Sequence, residues 1–264
     1  MEKVRSADGT SIAYRRNGTG APLLLVHGTG GTYSRWAPIV AALEKHYTVY
    51  AVDRRGRGES GDAAAYAIER EFEDVAALVD AIGEPVNLFG HSFGGICSLE
   101  AAKLTEHVHR LVLYEPPIPV GSVQIYPEGV IDRLQALLDA GDREGVLTTF
   151  MSEVVRMLPQ EIELSKSMAA WPARVAAAHT LPRELRAHEG YRFEPEGFKA
   201  LTIPTLLLVG GESPHFFRAA IDTLHQTLPN SRVVILAGQQ HIAMETAPDL
   251  LAREVLAFLL GPAM

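Results

Sequence analysis

The chain has 264 residues, of which 47% are hydrophobic and 21% are charged, and its formal net charge is −8 at pH 7. This composition is typical of a soluble globular protein, and the length suits one large domain with a sizeable core. The negative charge and the lack of a lysine/arginine run argue against a nucleic-acid partner and against an anionic membrane surface. The one cysteine, Cys97, excludes an internal disulfide.

The sequence contains neither an apolar tract of about 18 residues nor a basic-then-apolar leader at its start. We therefore expect no membrane insertion and a cytoplasmic location. Metal-ligand clusters, glycine-rich phosphate loops and nucleotide fingerprints are also missing from the sequence, so we expect no cofactor. No motif bears on the oligomeric state.

Short apolar runs alternate with amphipathic stretches along most of the chain. An antiparallel pair of edge strands is predicted at 3–8 and 10–16. Continuous apolar runs, too short for helices, predict buried parallel strands at 22–27, 48–52, 86–89, 108–114, 205–209 and 232–236. Helical spacing of apolar residues predicts helices at 34–46, 68–82, 216–228 and 248–260. The alternation predicts an α/β fold with a mostly parallel eight-stranded sheet flanked by helices.

The regular alternation stops between about residues 119 and 200. The patterns in this stretch are mostly helical, at 130–138, 143–158 and 161–170. We predict a helical cap, inserted after the sixth strand and lying over the strand ends. The predicted domains are therefore a core of residues 1–118 and 201–264 and a cap of residues 119–200. Apolar residues of the cap either line a substrate pocket or only pack the cap.

A Gly-x-Ser-x-Gly sequence lies between a predicted strand and a predicted helix, with Ser92 at its centre. Such a turn holds the serine in a strained backbone conformation, and Gly90 and Gly94 leave room for neighbouring chain. The turn exposes the Ser92 hydroxyl at the N-terminus of a helix, where negative charge is favoured. This is the position of a nucleophile. The alternative is an ordinary glycine-rich turn.

Four motifs together resemble the α/β-hydrolase superfamily over essentially the whole chain. They are His27-Gly28-Thr29-Gly30, the loop Asp53–Ser60, Gly90–Gly95 and Gly238-Gln239-Gln240-His241. The resemblance implies that Ser92 is the nucleophile and that His241, after the last strand, is its general base. It also implies an oxyanion hole made by the backbone N–H groups of Thr29 and Phe93. In that role the Thr29 side chain is not needed.

Other residues of these motifs are given supporting roles. We interpret His27 and the Asp53 loop as structural supports of the strand ends. His91, next to the nucleophile, is interpreted as supporting structure or as a wall of the pocket, and not as a second base. Cys97 lies on the helix after the turn and is expected to be a buried small side chain.

The acid of the triad is where the sequence departs from the family. Most members carry an Asp in a turn after the seventh strand, and here Ser213 stands at that position. Glu115, which ends the strand predicted beside the nucleophile strand, is the first candidate, because some family members take their acid from there. Glu212 is one residue early, and a one-residue shift reverses the side-chain direction. A site without a carboxylate is the third alternative.

The resemblance implies acyl transfer to water through an acyl-enzyme, since a serine nucleophile excludes the branches that attack through aspartate. We predict a serine esterase, free of cofactors, for a small or medium apolar carboxylic ester bound under the cap. The expected partner is a small-molecule substrate, with no nucleic acid. Two alternatives stay open: a carbon–carbon bond hydrolase or lyase on the same triad, and a receptor-like protein that binds a ligand with little turnover.

Overall fold

An eight-stranded sheet crosses the molecule, and its strands follow the order β1-β2-β4-β3-β5-β6-β7-β8 in the computed structural model, which describes residues 1–262. The strands are β1 (Glu2–Arg5), β2 (Ser11–Asn17), β3 (Pro22–Val26), β4 (Thr48–Val52), β5 (Val86–His91), β6 (Val108–Tyr114), β7 (Thr205–Gly210) and β8 (Ser231–Leu236). Strands β1 and β2 pair antiparallel with each other, β2 pairs antiparallel with β4, and the remaining pairs are parallel. The predicted fold class is confirmed.

Helices cover both faces of this sheet. They are α1 (Ala37–Leu43), α2 (Ile68–Ile82), α3 (Phe93–Ala101), α4 (Val130–Asp139), α5 (Arg143–Thr149), α6 (Pro159–Ser167), α7 (Trp171–Ala176), α8 (Leu181–Gly190), α9 (His215–Thr227), α10 (Ala243–Thr246) and α11 (Pro248–Leu259). Short 3₁₀ turns lie at Tyr33–Trp36, Ala177–Thr180 and Pro195–Phe198, and a π-helical turn at Phe150–Val154.

The core has two layers because side chains alternate along the buried strands. Leu23 and Leu25 of β3 pack with residues of α1 and α11 on one face, whereas Leu24 and Val26 pack with α2 and α3 on the other. Every residue of β3 is buried, as expected for a central parallel strand with both faces covered.

Strand register brings four loop positions to one edge of the sheet. Val26 of β3 pairs with Gly90 of β5, and His91 of β5 pairs with Tyr114 of β6. Tyr114 in turn pairs with Leu208 of β7. The segments that follow β3, β5, β6 and β7 therefore meet at the carboxyl ends of the strands, where open α/β sheets form their sites.

Helices α4–α8 all fall within the predicted cap, residues 119–200, which we call the cap segment. The proposed division into this segment and a core stays a prediction, and residues 263 and 264 of the predicted core lie outside the described residues. The predicted helix at 143–158 is wrong in its second half: α5 ends at Thr149 and continues as the π-helical turn. The helix cannot run on to 158, because Arg156 has a left-handed backbone, at φ 61°, and Leu158, which precedes Pro159, is extended.

The predicted helix at 34–46 is also shorter in the structure. Tyr33–Trp36 forms a 3₁₀ turn, and α1 begins after it, just ahead of Pro38. Proline is favoured in the first turn of a helix, because it has no N–H to leave unpaired there. Among residues 1–262, no helix is both long enough and apolar enough to span a membrane.

Candidate active site

Ser92 connects β5 to α3 with a backbone that L-amino acids rarely adopt, at φ 55° and ψ −129°. Neighbouring chain approaches closely on both sides. A Cβ on Gly94 would lie 2.3 Å from the carbonyl oxygen of Val26, and a Cβ on Gly90 would lie 2.5 Å from the carbonyl oxygen of Gly94. Both glycines are therefore required by space, as the sequence predicted, and the strained turn sets Ser92 at the edge where the loops meet.

The structure brings Glu115 to His241. The Oε2 atom of Glu115 lies 2.6 Å from Nδ1 of His241, and Oε1 accepts a hydrogen bond of 2.7 Å from the Gly210 N–H. Glu115 is fully buried and His241 is 5% exposed. The Glu115 backbone has φ 47°, a strained conformation that directs the carboxylate across the end of β7.

Glu212 is not part of this arrangement. It is solvent-exposed, and its backbone N–H donates to the carbonyl of Gln239 at 2.9 Å. Ser213, at the position where most family members carry their acid, is half-buried. Of the three alternatives for the acid, the geometry favours Glu115.

His241 is held by aromatic contacts and by its own backbone. The ring of Phe217 stacks on the imidazole with centroids 4.2 Å apart and planes 13° apart. His91 Nε2 lies 2.9 Å from the backbone oxygen of His241, and the two rings are 4.5 Å apart. Burial, and next the neighbouring His241, lower the pKa of His91 well below its usual value. A neutral His91 that braces the loop of His241 agrees with its predicted supporting role.

Thr29 and Phe93 line one small cavity together with Ser92 and His241. Phe93 is the first residue of α3, where the backbone N–H has no acceptor within the helix. The Thr29 segment passes close to Ser92, since a Cβ on Gly28 would lie 2.7 Å from the Cβ of Ser92. Both N–H groups predicted for an oxyanion hole are thus carried by segments next to Ser92.

The Thr29 side chain has a partner that the sequence did not suggest. Its hydroxyl donates a hydrogen bond to Glu184 of α8, in the cap segment. Glu184 also pairs with Arg54, at 2.8 Å, and with Arg57, while Arg54 makes a two-pronged pair with Glu71 at 2.8 and 3.0 Å. Although burial raises the pKa of Glu184, the two arginines together lower it. This buried network joins the cap segment to the loop beside Ser92.

His27 contacts the segment that carries Gly28 and Thr29. Its Nδ1 atom lies 2.8 Å from the carbonyl oxygen of Gly28, and its Nε2 atom accepts a hydrogen bond of 3.2 Å from the Arg54 N–H. Complete burial lowers the pKa of His27 well below its usual value, so the ring is neutral. Asp53 accepts backbone N–H bonds from Tyr33 and Glu59 at 2.8 and 3.1 Å. These contacts match the structural roles expected for the two motifs.

Two cavities of about 20 Å³ each meet at Ser92 and His241. We call the first the arginine cavity and the second the aromatic cavity, after the side chains that distinguish them. The arginine cavity is lined, among others, by Arg35, Met151, Met157 and Arg174. The aromatic cavity is lined, among others, by Phe93, Tyr126, Phe150, Phe216 and Phe217.

Sequence reasoning missed Arg35 and Arg174. Each lies in an ordinary amphipathic stretch with no motif around it, and their proximity depends on how the cap segment packs on the core. Within residues 1–262, no group of three or more His, Cys, Asp and Glu side chains is arranged to hold a metal ion.

A buried Ser, a His and a carboxylate thus lie together at the strand ends of a mostly parallel eight-stranded sheet. Residues 23–254 match the model of the Alpha/beta hydrolase family, and the chain belongs to this family. The (E)-2-((N-methylformamido)methylene)succinate hydrolase of Acinetobacter baylyi is 27% identical, over 97% of each chain.

Two solved structures match nearly the whole chain. An alpha/beta hydrolase from Sphaerobacter thermophilus has a TM-score of 0.85 and 39% identity, covering 98% of this chain and 100% of that one. The esterase RhEst1 from Rhodococcus sp. has a TM-score of 0.82 and 26% identity, covering 98% of both chains. All three are named as hydrolases or esterases, and their names give no common substrate.

Proposed function

We propose that this hydrolase cleaves a small or medium carboxylic ester through an acyl-enzyme on Ser92, with His241 as general base and Glu115 as the acid that orients it. One observation carries the proposal: the buried Glu115 carboxylate lies 2.6 Å from Nδ1 of His241. A carboxylate at Nδ1 keeps the proton on that nitrogen and leaves Nε2 free to accept a proton from serine. It also stabilises the imidazolium that forms.

The proposed reaction has two halves. As Ser92 Oγ attacks the ester carbonyl, His241 takes the hydroxyl proton, and the N–H groups of Thr29 and Phe93 stabilise the oxyanion. His241 then returns the proton to the leaving alcohol, which departs and leaves the acyl-enzyme. In the second half His241 removes a proton from water, the resulting attack releases the acid, and Ser92 regains its proton.

The two cavities at Ser92 support a substrate with two short arms. Each cavity is only about 20 Å³, room for about one water molecule, so a substrate must displace side chains of the cap segment. Met151 and Met157 can move in this way, because methionine is unbranched and adaptable. We expect acyl chains of two to four carbons to be hydrolysed faster than long ones.

The test is hydrolysis of p-nitrophenyl esters from acetate to decanoate by the wild type and by Ser92→Ala. We expect turnover that peaks at a short acyl chain and is lost in the variant. A fluorophosphonate probe should label the wild type and not Ser92→Ala. If the wild type shows neither ester turnover nor labelling, the proposal is contradicted. Labelling without ester turnover would favour the carbon–carbon hydrolase or lyase alternative.

A further inference from the structure

Two buried arginines share one carboxylate beside the proposed nucleophile. Arg35 precedes α1, Arg174 lies on α7 of the cap segment, and Glu245 lies on α10. The three side chains are 6%, 5% and 3% exposed. Arg35 pairs directly with Glu245 Oε1, whereas the Arg174 Nη1 atom lies 3.7 Å from the same oxygen. Both arginines line the arginine cavity together with Ser92 and His241.

The hydrogen bonds of Arg174 are incomplete. Its Nε atom donates to the carbonyl oxygen of Gly30 at 3.1 Å, and its Nη2 atom lies 3.8 Å from the Sδ atom of Met151. Nη1 is buried and has no hydrogen-bond partner among the described residues. Glu245 does not supply the missing bond, because its Oε1 atom is 3.7 Å from Nη1 and its Oε2 atom accepts from the Ser165 hydroxyl at 2.5 Å. A buried, charged donor without an acceptor is costly unless a ligand completes it.

The net charge of Arg35, Arg174 and Glu245 also favours an anion. Arg35 and Arg174 bring two positive charges and Glu245 brings one negative charge, which leaves an excess of one positive charge at the cavity wall. Burial, and next the charge of Arg35, lower the pKa of Arg174 to about 9, so it stays cationic at neutral pH. Both the missing acceptor and the missing negative charge would be supplied by one anion.

We propose that the arginine cavity is a subsite for a carboxylate of the substrate, which hydrogen-bonds Arg174 Nη1. The proposal rests on the proposed function, because it names the substrate class for the same Ser92 site: esters that carry a free carboxylate within a few atoms of the scissile carbonyl, such as half-esters of dicarboxylic acids. The planar guanidinium matches a planar carboxylate, and the aromatic cavity takes the uncharged arm.

Binding of a dicarboxylate, measured without catalysis, is the first test. Glutarate and its neutral analogue dimethyl glutarate are titrated by calorimetry into Ser92→Ala, which cannot turn over the ester. We expect glutarate to bind at least 10-fold more tightly than the diester, and Arg174→Gln in the same background to weaken glutarate by about 10- to 100-fold. Arg143→Gln is the matched control, since Arg143 is an exposed cap arginine that donates to the carbonyl of Ala176. We expect it to bind glutarate like its parent.

Selectivity between charged and neutral esters is the second test. Two pairs are compared: monomethyl against dimethyl glutarate, and 3-acetoxypropanoate against its methyl ester, which put the carboxylate on the acyl or the alcohol side. We expect kcat/KM to favour the anion at least 10-fold in one pair, and Arg174→Gln to abolish this ratio. A purely structural role of Arg174, through its bond to Gly30, would lower both members of a pair equally and leave the ratio unchanged.

The outcomes separate the two proposals. Glutarate that binds no better than dimethyl glutarate, or inorganic phosphate that binds more tightly than glutarate, would overturn the subsite even if neutral esters are hydrolysed. Selective glutarate binding that depends on Arg174 would support the subsite even if no ester is turned over, in which case only the esterase proposal fails. If Arg174→Gln does not fold, the comparison of glutarate with dimethyl glutarate in the parent still decides whether the subsite prefers a carboxylate.

Discussion

Replacing Glu115 by Gln tests the proposed triad most directly. Glutamine keeps the size of the side chain, so the substitution adds no strain to the backbone at this position. The Gly210 N–H, now 2.7 Å from Oε1, will bind the amide oxygen, which turns the amide NH₂ group toward Nδ1 of His241. Nδ1 must then accept a hydrogen bond, and the proton moves to Nε2, where it blocks proton transfer from Ser92.

The loss should be large, because both the tautomer and the negative charge at a buried imidazole change together. We expect kcat for a short p-nitrophenyl ester to fall by about 10³- to 10⁴-fold, which corresponds to about 4–5.5 kcal/mol in the activation barrier. The assay is steady-state hydrolysis at saturating ester. The rate of Ser92 labelling by a fluorophosphonate should fall in parallel, because that reaction needs the same base.

Glu212→Gln is the matched control, since Glu212 is exposed and follows β7, the strand next to β6, whose end carries Glu115. We expect its kcat to stay within a factor of about two, as for surface substitutions in general. Thermal unfolding of both variants shows whether the fold is kept. A fall in kcat of less than 10-fold in Glu115→Gln, or an equal effect of the two substitutions, would refute the assignment.

Two further predictions concern the cap segment. Glu184→Gln leaves Arg54 and Arg57 with one buried carboxylate fewer, and we expect the free energy of unfolding in urea to fall by about 3–5 kcal/mol. The control is Glu189→Gln, exposed on the same helix, which should change this free energy by less than about 0.5 kcal/mol. Equal effects of the two substitutions would refute the role of the network. Burial lowers the pKa of His188 from 6.5 to about 4, so its contribution to stability is complete above pH 6.5 and is lost as the pH falls toward 4, at up to about 1.4 kcal/mol per pH unit. Urea unfolding at pH 7.5 and 5.5 should therefore show a smaller pH dependence in His188→Gln than in the wild type, and an unchanged dependence would contradict this.

Local patterns predicted the regular elements well where one or both faces of an element are buried. Helix α2 and strands β4 and β6 begin and end where the sequence predicted, because their apolar residues recur with the period of a helix or fill a whole strand. Helix α2 ends at Gly83, which adopts the left-handed conformation at φ 75°. Strands β1 and β2 were predicted less accurately in their bounds. Of the two, β1 is an edge strand, which has one neighbour fewer and a weaker pattern.

The sequence could predict those residues of the proposed site whose position depends on backbone geometry. The glycines on either side of Ser92 reflect a close approach of neighbouring chain that leaves no space for a Cβ, so the motif indicates the turn. Glu115 could be favoured over Glu212 because a position at a strand end determines which side chains meet at the sheet edge. These are properties of short segments, and the sequence by itself determined them.

The character of the cavities was decided by tertiary structure alone. Arg35, Ser165, Arg174 and Glu245 come from four separate elements, and the sequence around each is that of an ordinary helix or turn. The proposed binding role of Arg174 depends on its burial with incomplete hydrogen bonds, and burial depends on contacts between distant parts of the chain. The predicted apolar pocket therefore has one wall of positive charge, because the packing of the cap segment on the core brings Arg174 against Gly30 and next to Arg35.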